Sequence, residues 1–140
     1  KTVPEGWRAS VQLDPVRPAG ALDAYLCGDL LGDAARRNPV RFATGEAKPA
    51  AESRPALEAA TDIVRRCGRV GIRIVHHLAA PADSQTARDL AADRAGALMT
   101  ALSERGATAR FSIEGVVAPQ AGAPQAAGGQ DRNEFVVTPL

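Results

Sequence analysis

The chain has 140 residues, 45% of them hydrophobic, with 17 basic residues against 16 acidic ones, which is enough for one domain with its own core and too little for two. A formal net charge of +1 sets up no overall field that would draw it to nucleic acid or to an anionic membrane, and no apolar run approaches the ~20 residues a helix needs to span a bilayer. The first residue is Lys1 and not methionine, so the chain is expected to be a mature or excised piece.

Near the start, Trp7, Ala9, Val11 and Leu13 alternate with Arg8, Ser10, Gln12 and Asp14, the period of a half-buried strand, which Pro15 and Pro18 stop. From Ala21 to Arg37, Leu22, Leu26, Leu30 and Ala34 recur every fourth residue and predict a helix with one apolar face, next to which Cys27 falls. Gly28 and Gly32 each weaken that helix by about 1 kcal/mol relative to alanine. Asn38-Pro39 ends it. Val40-Arg41-Phe42-Ala43 reads as a strand, and Ser53 stands where it can cap a second helix, with Leu57, Ala60, Val64 and Cys67 as its apolar face and Gly68 as its C-cap.

The stretch from Val70 to Leu102 carries the strongest pattern. Val70, Ile72 and Ile74 alternate with Gly71, Arg73 and Val75, which predicts a strand with one well-buried face. Pro81 breaks it, Asp83 or Ser84 is placed to cap a helix, and Leu90, Ala97, Leu98, Ala101 and Leu102 form a helical stripe that Gly106 ends. A strand feeding a helix through a short loop is a common ligand site, because free N–H groups at the helix start lie beside the strand's carboxyl end. Ala107, Ala109, Phe111 and Ile113 suggest a further strand to Gly115. Residues 116–132 are small, proline-broken and almost uncharged, so they are expected to stay without order, before a closing strand over Asn133-Glu134-Phe135-Val136-Val137. The expected architecture is α+β in βαβαβ order, a mixed sheet of about four strands with helices on one face.

Chemistry-bearing motifs are sparse. No GxSxG, HExxH or phosphate-loop glycine pattern occurs, so an enzyme is not expected and no cofactor is called for. His76 and His77 are adjacent in a strand and point to opposite faces, which argues against one shared metal. Cys27 and Cys67 are too few for a zinc site without both histidines. Two buried thiols and one disulfide remain as readings, the latter expected only outside the cytoplasm.

His76 to Ala95 resembles, in spacing, the GHTDxxGxxxxNxxLSxxRA pattern of OmpA-like (OmpA/MotB C-terminal, peptidoglycan-associated) domains. His76-His77-Leu78-Ala79 stands at GHTD, Ala82 at the glycine, Ala87 at the asparagine, Leu90-Ala91 at LS and Arg94-Ala95 at RA. Val40, Phe42, Gly45 and Ala47 match the family's I-x-F-x-x-G-x-A, and the run from Asn133 resembles its NRRVEI-like closing strand. The PEGWRASVQL run and the placing of Cys27 and Cys67 are similar to the subgroup preceded by BON-type modules, in which such a cysteine pair recurs. That resemblance implies a Cys27–Cys67 disulfide, residues 1–18 as either the tail of an upstream module or an N-terminal strand and linker, an OmpA-like domain over 19–140, and a place in the periplasm or cell envelope, with association with the outer membrane as one option.

In the family an aspartate and an arginine hold the charged ends of diaminopimelate in the peptidoglycan stem. Here the arginine remains as Arg94, alanine stands at the aspartate position as Ala79, and Ala82, Ala87 and Ala91 replace glycine, asparagine and serine. The resemblance therefore implies a non-catalytic envelope domain related to peptidoglycan anchoring, with diaminopimelate binding weakened or abolished. Arg94 in the first turns of its helix, His77 at the pattern's histidine and Asp83 as a substitute counter-charge are the candidate ligand contacts. The alternative for Arg94 is a solvated side chain paired with Asp89, Asp93 or a nearby loop acid. The alternative for the protein is an interaction or scaffold subunit of an envelope assembly, meeting another protein through Ala79, Ala80, Ala82 and Ala87.

Overall fold

The computed structural model describes residues 22–119 and 131–140. The expected strand over 7–13 and the boundary after residue 18 lie outside the described residues. In chain order the elements are α1 (Ala24–Arg37), a 3-10 turn (Ala51–Ser53), α2 (Arg54–Arg66), β1 (Val70–Ala80), α3 (Gln85–Glu104), β2 (Arg110–Pro119) and β3 (Arg132–Pro139).

β1 is the middle strand of a mixed sheet in the order β2-β1-β3, parallel to β2 with Ile74 opposite Ile113 and antiparallel to β3 with Ile74 opposite Phe135. Its central place follows from its composition, since Val70, Ile72, Ile74, Val75 and Leu78 are all buried and only a strand flanked on both edges can bury so many. Ile72 and Ile74 pack with Cys27, Leu31, Leu57, Val64, Leu98 and Leu102 into one core, so all three helices cover the same face. The α+β class, the mixed sheet and the one-sided helices agree with the sequence reading.

Three strands, not four, form among the described residues. Residues 40–43 do not pair as a strand; Phe42 makes one isolated bridge to Pro49. The reason lies in where their backbone groups go. The Arg41 N–H donates to Ser53 Oγ at 2.7 Å and the Arg41 carbonyl accepts from that hydroxyl at 3.2 Å, while Asn133 Nδ2 donates to the Val40 carbonyl at 3.2 Å. Side chains thus take the places of ladder bonds. Ser53 is correspondingly diverted: it stands at the N-cap of α2 but makes no cap hydrogen bond. The run expected to lack order also yields at both ends, where residues 116–119 belong to β2 and Arg132 opens β3.

Helix faces and ends show the same mixture. In α1 the fully buried residues are Cys27 and Leu31, whereas Leu26 is 46% exposed, so the apolar face lies one position round from the expected Leu22–Leu26–Leu30 stripe. The Cys27–Cys67 disulfide turns that side inward. Beside it, the Leu22 N–H donates to Arg66 O at 2.8 Å and its carbonyl accepts from the Gly68 N–H at 2.9 Å. Gly68 is therefore a partner of Leu22 and not a left-handed C-cap; α2 is capped at Cys67. α3 begins as expected, with Ser84 Oγ accepting from the Ala87 N–H at 3.1 Å. It ends as expected too. Gly106 takes φ +93°, its N–H reaches Ser103 O at 3.0 Å and the Ala107 N–H reaches Leu102 O at 3.0 Å, the paired closing bonds of a Schellman motif.

One close approach sets where α3 lies. A Cβ on Gly115 would fall 2.4 Å from the Ala92 nitrogen and 2.8 Å from Ala91 Cβ, so β2 meets the α3 backbone there, and only glycine opposite alanine permits it. The contact presses the adjoining turn of α3 onto β1.

Candidate functional site

That turn carries Arg94. Ala87, Ala91, Ala95, Leu98, Ala101 and Leu102 form the buried stripe of α3, and Arg94 lies within it, 2% exposed. The guanidinium therefore sits in the third turn of the helix and not the first, and it is neither solvated nor paired with Asp89 or Asp93. A buried cation is tolerated only if its N–H groups are bonded. Nε donates to Glu46 O at 2.7 Å and Nη2 to Ala43 O at 3.0 Å. These two carbonyls bracket a turn closed by the Glu46 N–H on Ala43 O at 2.9 Å, which Gly45 makes with φ +74°. The Phe42 ring lies beneath, with Arg94 Cζ 4.8 Å from its centroid.

Nη1 faces two further groups. One is His76, 1% exposed, whose Nε2 lies 3.5 Å away. The ring's other nitrogen, Nδ1, is 2.6 Å from Asn133 Oδ1. Because Asn133 uses its amide nitrogen on Val40 O, its oxygen is an acceptor, so Nδ1 carries the proton and the unprotonated Nε2 accepts from Arg94. This network requires a neutral imidazole. Burial pushes the His76 pKa below its ordinary 6.5, the Arg94 charge and His77 push the same way, and the Asn133 bond and Asp131 oppose them. Phe42 meets the ring edge-on at 5.3 Å.

The second group is Asp131. Its Oδ2 accepts from Arg94 Nη1 at 2.8 Å and its Oδ1 accepts from the Ala79 N–H at 2.8 Å. β3 pairs with β1 only as far as Arg132 opposite His77, so the Ala79 amide has no strand partner on that side and the Asp131 side chain takes it. The carboxylate thus bridges the Ala79 amide and the Arg94 guanidinium.

Above this pair opens a cleft of about 820 Å³. Its walls are Ala79, Ala82, Ala87 and Leu90 on one side and Phe42 and Arg41 on the other, with Arg94 and Asp131 at the floor. Of Ala79, Ala82, Ala87 and Ala91, the first three line it; Ala91 is instead buried against Gly115. Asp83 does not face Arg94, since its carboxylate holds Arg88 at 2.7 Å. His77 points to the opposite face of the sheet, where Nε2 meets Glu134 Oε1 at 2.9 Å, next to an Arg73–Glu114 pair. The histidine at the site is His76. Its parity with Ile72 and Ile74 was a usable signal for this. Asp131, 37 residues from Arg94, was anticipated only as an unnamed nearby loop acid. Among the described residues no cluster of histidine, cysteine or acidic side chains could hold a metal, and no helix is long and apolar enough to cross a membrane.

This arrangement of sheet, helices and cleft is the OmpA-like fold, which the OmpA-like and MotB-like domains among solved structures share. The OmpA-like domain of FopA1 from Francisella tularensis subsp. tularensis SCHU S4 superposes with a TM-score of 0.52 at 15% identity, over 72% of this chain and 71% of that one. A putative MotB like protein from Desulfovibrio vulgaris gives 0.58 at 14% identity, over 84% and 91%. No family model matches the chain, and no curated protein sequence does.

Proposed function

We propose that this protein is a non-catalytic cell-envelope domain of the OmpA-like class, related to peptidoglycan anchoring, whose cleft holds diaminopimelate weakly or not at all. The observation that carries the reading is the state of Arg94: buried, and bonded to Glu46, Ala43, His76 and Asp131 of its own chain. Among the described residues, a zwitterionic ligand finds the floor cation already paired with Asp131, and the carboxylate beside Ala79 is that same Asp131, engaged by Arg94 and the Ala79 amide. The fold likeness supports the class. The Cys27–Cys67 disulfide supports an oxidising compartment, hence the periplasm or outer-membrane side of the envelope. The resemblance of the PEGWRASVQL run to the last strand of BON-type modules supports residues 1–18 as the end of an upstream module of that kind.

Co-sedimentation with purified sacculi at physiological ionic strength tests the proposal. The expected result is no retention above that of an unrelated protein, and retention that Arg94→Ala abolishes would overturn it. A second reading, a scaffold subunit that meets another envelope protein, is favoured by one feature. The upper cleft is lined with Ala79, Ala80, Ala82, Ala87 and Leu90, methyl groups that let another chain approach closely. Absence of sacculus binding together with a specific co-purifying envelope protein supports that reading.

A further inference from the structure

We propose that the position of the Asp131 carboxylate is a carboxylate-binding site with Asp131 as its built-in ligand, so that an external carboxylate reaches Arg94 only by displacing Asp131. Two donors converge there, one on each oxygen: the Ala79 N–H and Arg94 Nη1, both at 2.8 Å. Both are held by groups other than Asp131. Ala79 lies within β1, paired with Ala118 of β2. The Arg94 guanidinium is fixed by the Glu46 and Ala43 carbonyls and the Phe42 ring. If Asp131 turns away, the donors stay aimed at the vacated space, which makes the site preorganised for a carboxylate.

Asp131 is the less anchored member. Its side chain is 37% exposed against 2% for Arg94, it borders the cleft, and it precedes the first residue of β3. The surroundings select the ligand. Next to the carboxylate position the walls are Ala79, Ala82, Ala87 and Leu90, which suit a short uncharged body. Exposed Arg41 at the other wall adds a charge that favours an anion. Among the described residues no carboxylate besides Asp131 lines the cleft for an ammonium group, and Asp83 is held by Arg88. The class indicated is a monocarboxylate on a small apolar body, of the kind an acylated alanine presents. A tethered ligand competes at an effective concentration of about millimolar or more, so it masks weak carboxylate binding. The inference concerns which groups grip the carboxylate and not which molecule carries it, so it stands or falls separately from the peptidoglycan reading.

The test is an NMR titration of the full chain with N-acetylalanine, following the Ala79 amide and the Arg94 Nε–H, with N-acetylalaninamide as the neutral control. Wild type is expected to show binding at least about tenfold weaker than Asp131→Ala, and the amide none in either. Asp131→Asn, which keeps the size and the bond to Ala79 but not the charge, is expected to fall between. It also serves as the decisive variant if Asp131→Ala does not fold. Equal or tighter binding by wild type would overturn the proposal, because Asp131 would then be a contact for the ligand and not its competitor. Failure of folded Asp131 variants to bind the probe at all would overturn it as well.

Discussion

At its amino half β1 is buried by bulk: Val70, Ile72 and Ile74 lie among Leu57, Val64, Leu98 and Leu102, with the Cys27–Cys67 bond joining α1 to the end of α2. At its carboxyl half Leu78 and Ala80 meet only the small Ala87 and Ala91, flanked by Leu90 and Val117, and the volume beside them is filled by Arg94, His76 and Asn133. The first half is held by non-directional burial and a covalent tie. The second is held by directional bonds, in which losing one partner strands the others. A cleft lined by Ala79, Ala82 and Ala87 opens in the second half, with Arg94 and Asp131 of the polar network also in its lining.

The largest expected effect concerns the first half. Replacing both cysteines by alanine frees a loop with a sequence separation of 40, which costs about 4 kcal/mol in the chain-entropy model. Urea unfolding of the double variant measures it, and stability within about 1 kcal/mol of wild type would mean that apolar packing alone holds that end. The next effect belongs to the second half. Arg94→Met keeps an unbranched apolar stem but leaves Glu46 O, Ala43 O and the Asp131 carboxylate without their donor, with a loss of about 2–3 kcal/mol. A thermal melt showing no loss would make the network dispensable and the two halves alike.

The smallest effect is the most specific. The folded-state pKa of His76 lies below 6.5, so as pH falls through 6.5 the unfolded chain takes up a proton that the folded one refuses. The stability that depends on the neutral ring is complete above 6.5. It is lost as pH falls from 6.5 toward the folded value, at no more than about 1.4 kcal/mol per pH unit. Urea midpoints measured between pH 7.5 and 5 should fall in wild type and flatten in His76→Gln, and an unchanged slope in the variant would place the titration elsewhere. The charged groups facing the ring are Arg94 and Asp131, with His77 its neighbour, so the other network variants should shift this profile as well.

Local patterns in the chain settled a good part of the architecture. The alternation from Val70, the Ser84 cap, the Gly106 stop and the two-residue step from Ile72 through Ile74 to His76 are all short-range. Each follows from the geometry of one strand or one helix. Even the burial of Arg94 had a local trace, since it stands three residues after Ala91 and four before Leu98 on one helical face. The fate of 40–43 did not: the Arg41 amide goes to Ser53, the Val40 carbonyl to Asn133 and the Ala43 carbonyl to Arg94, so strand propensity was overridden by side chains 12 or more residues away in the chain. Asp131 is the plainest case. Its carboxylate meets Arg94 because the antiparallel register of β3 on β1 stops at His77 and leaves the Ala79 amide open. A register is fixed by the sum of packing across the whole sheet, and no periodicity within ten residues of Asp131 encodes it.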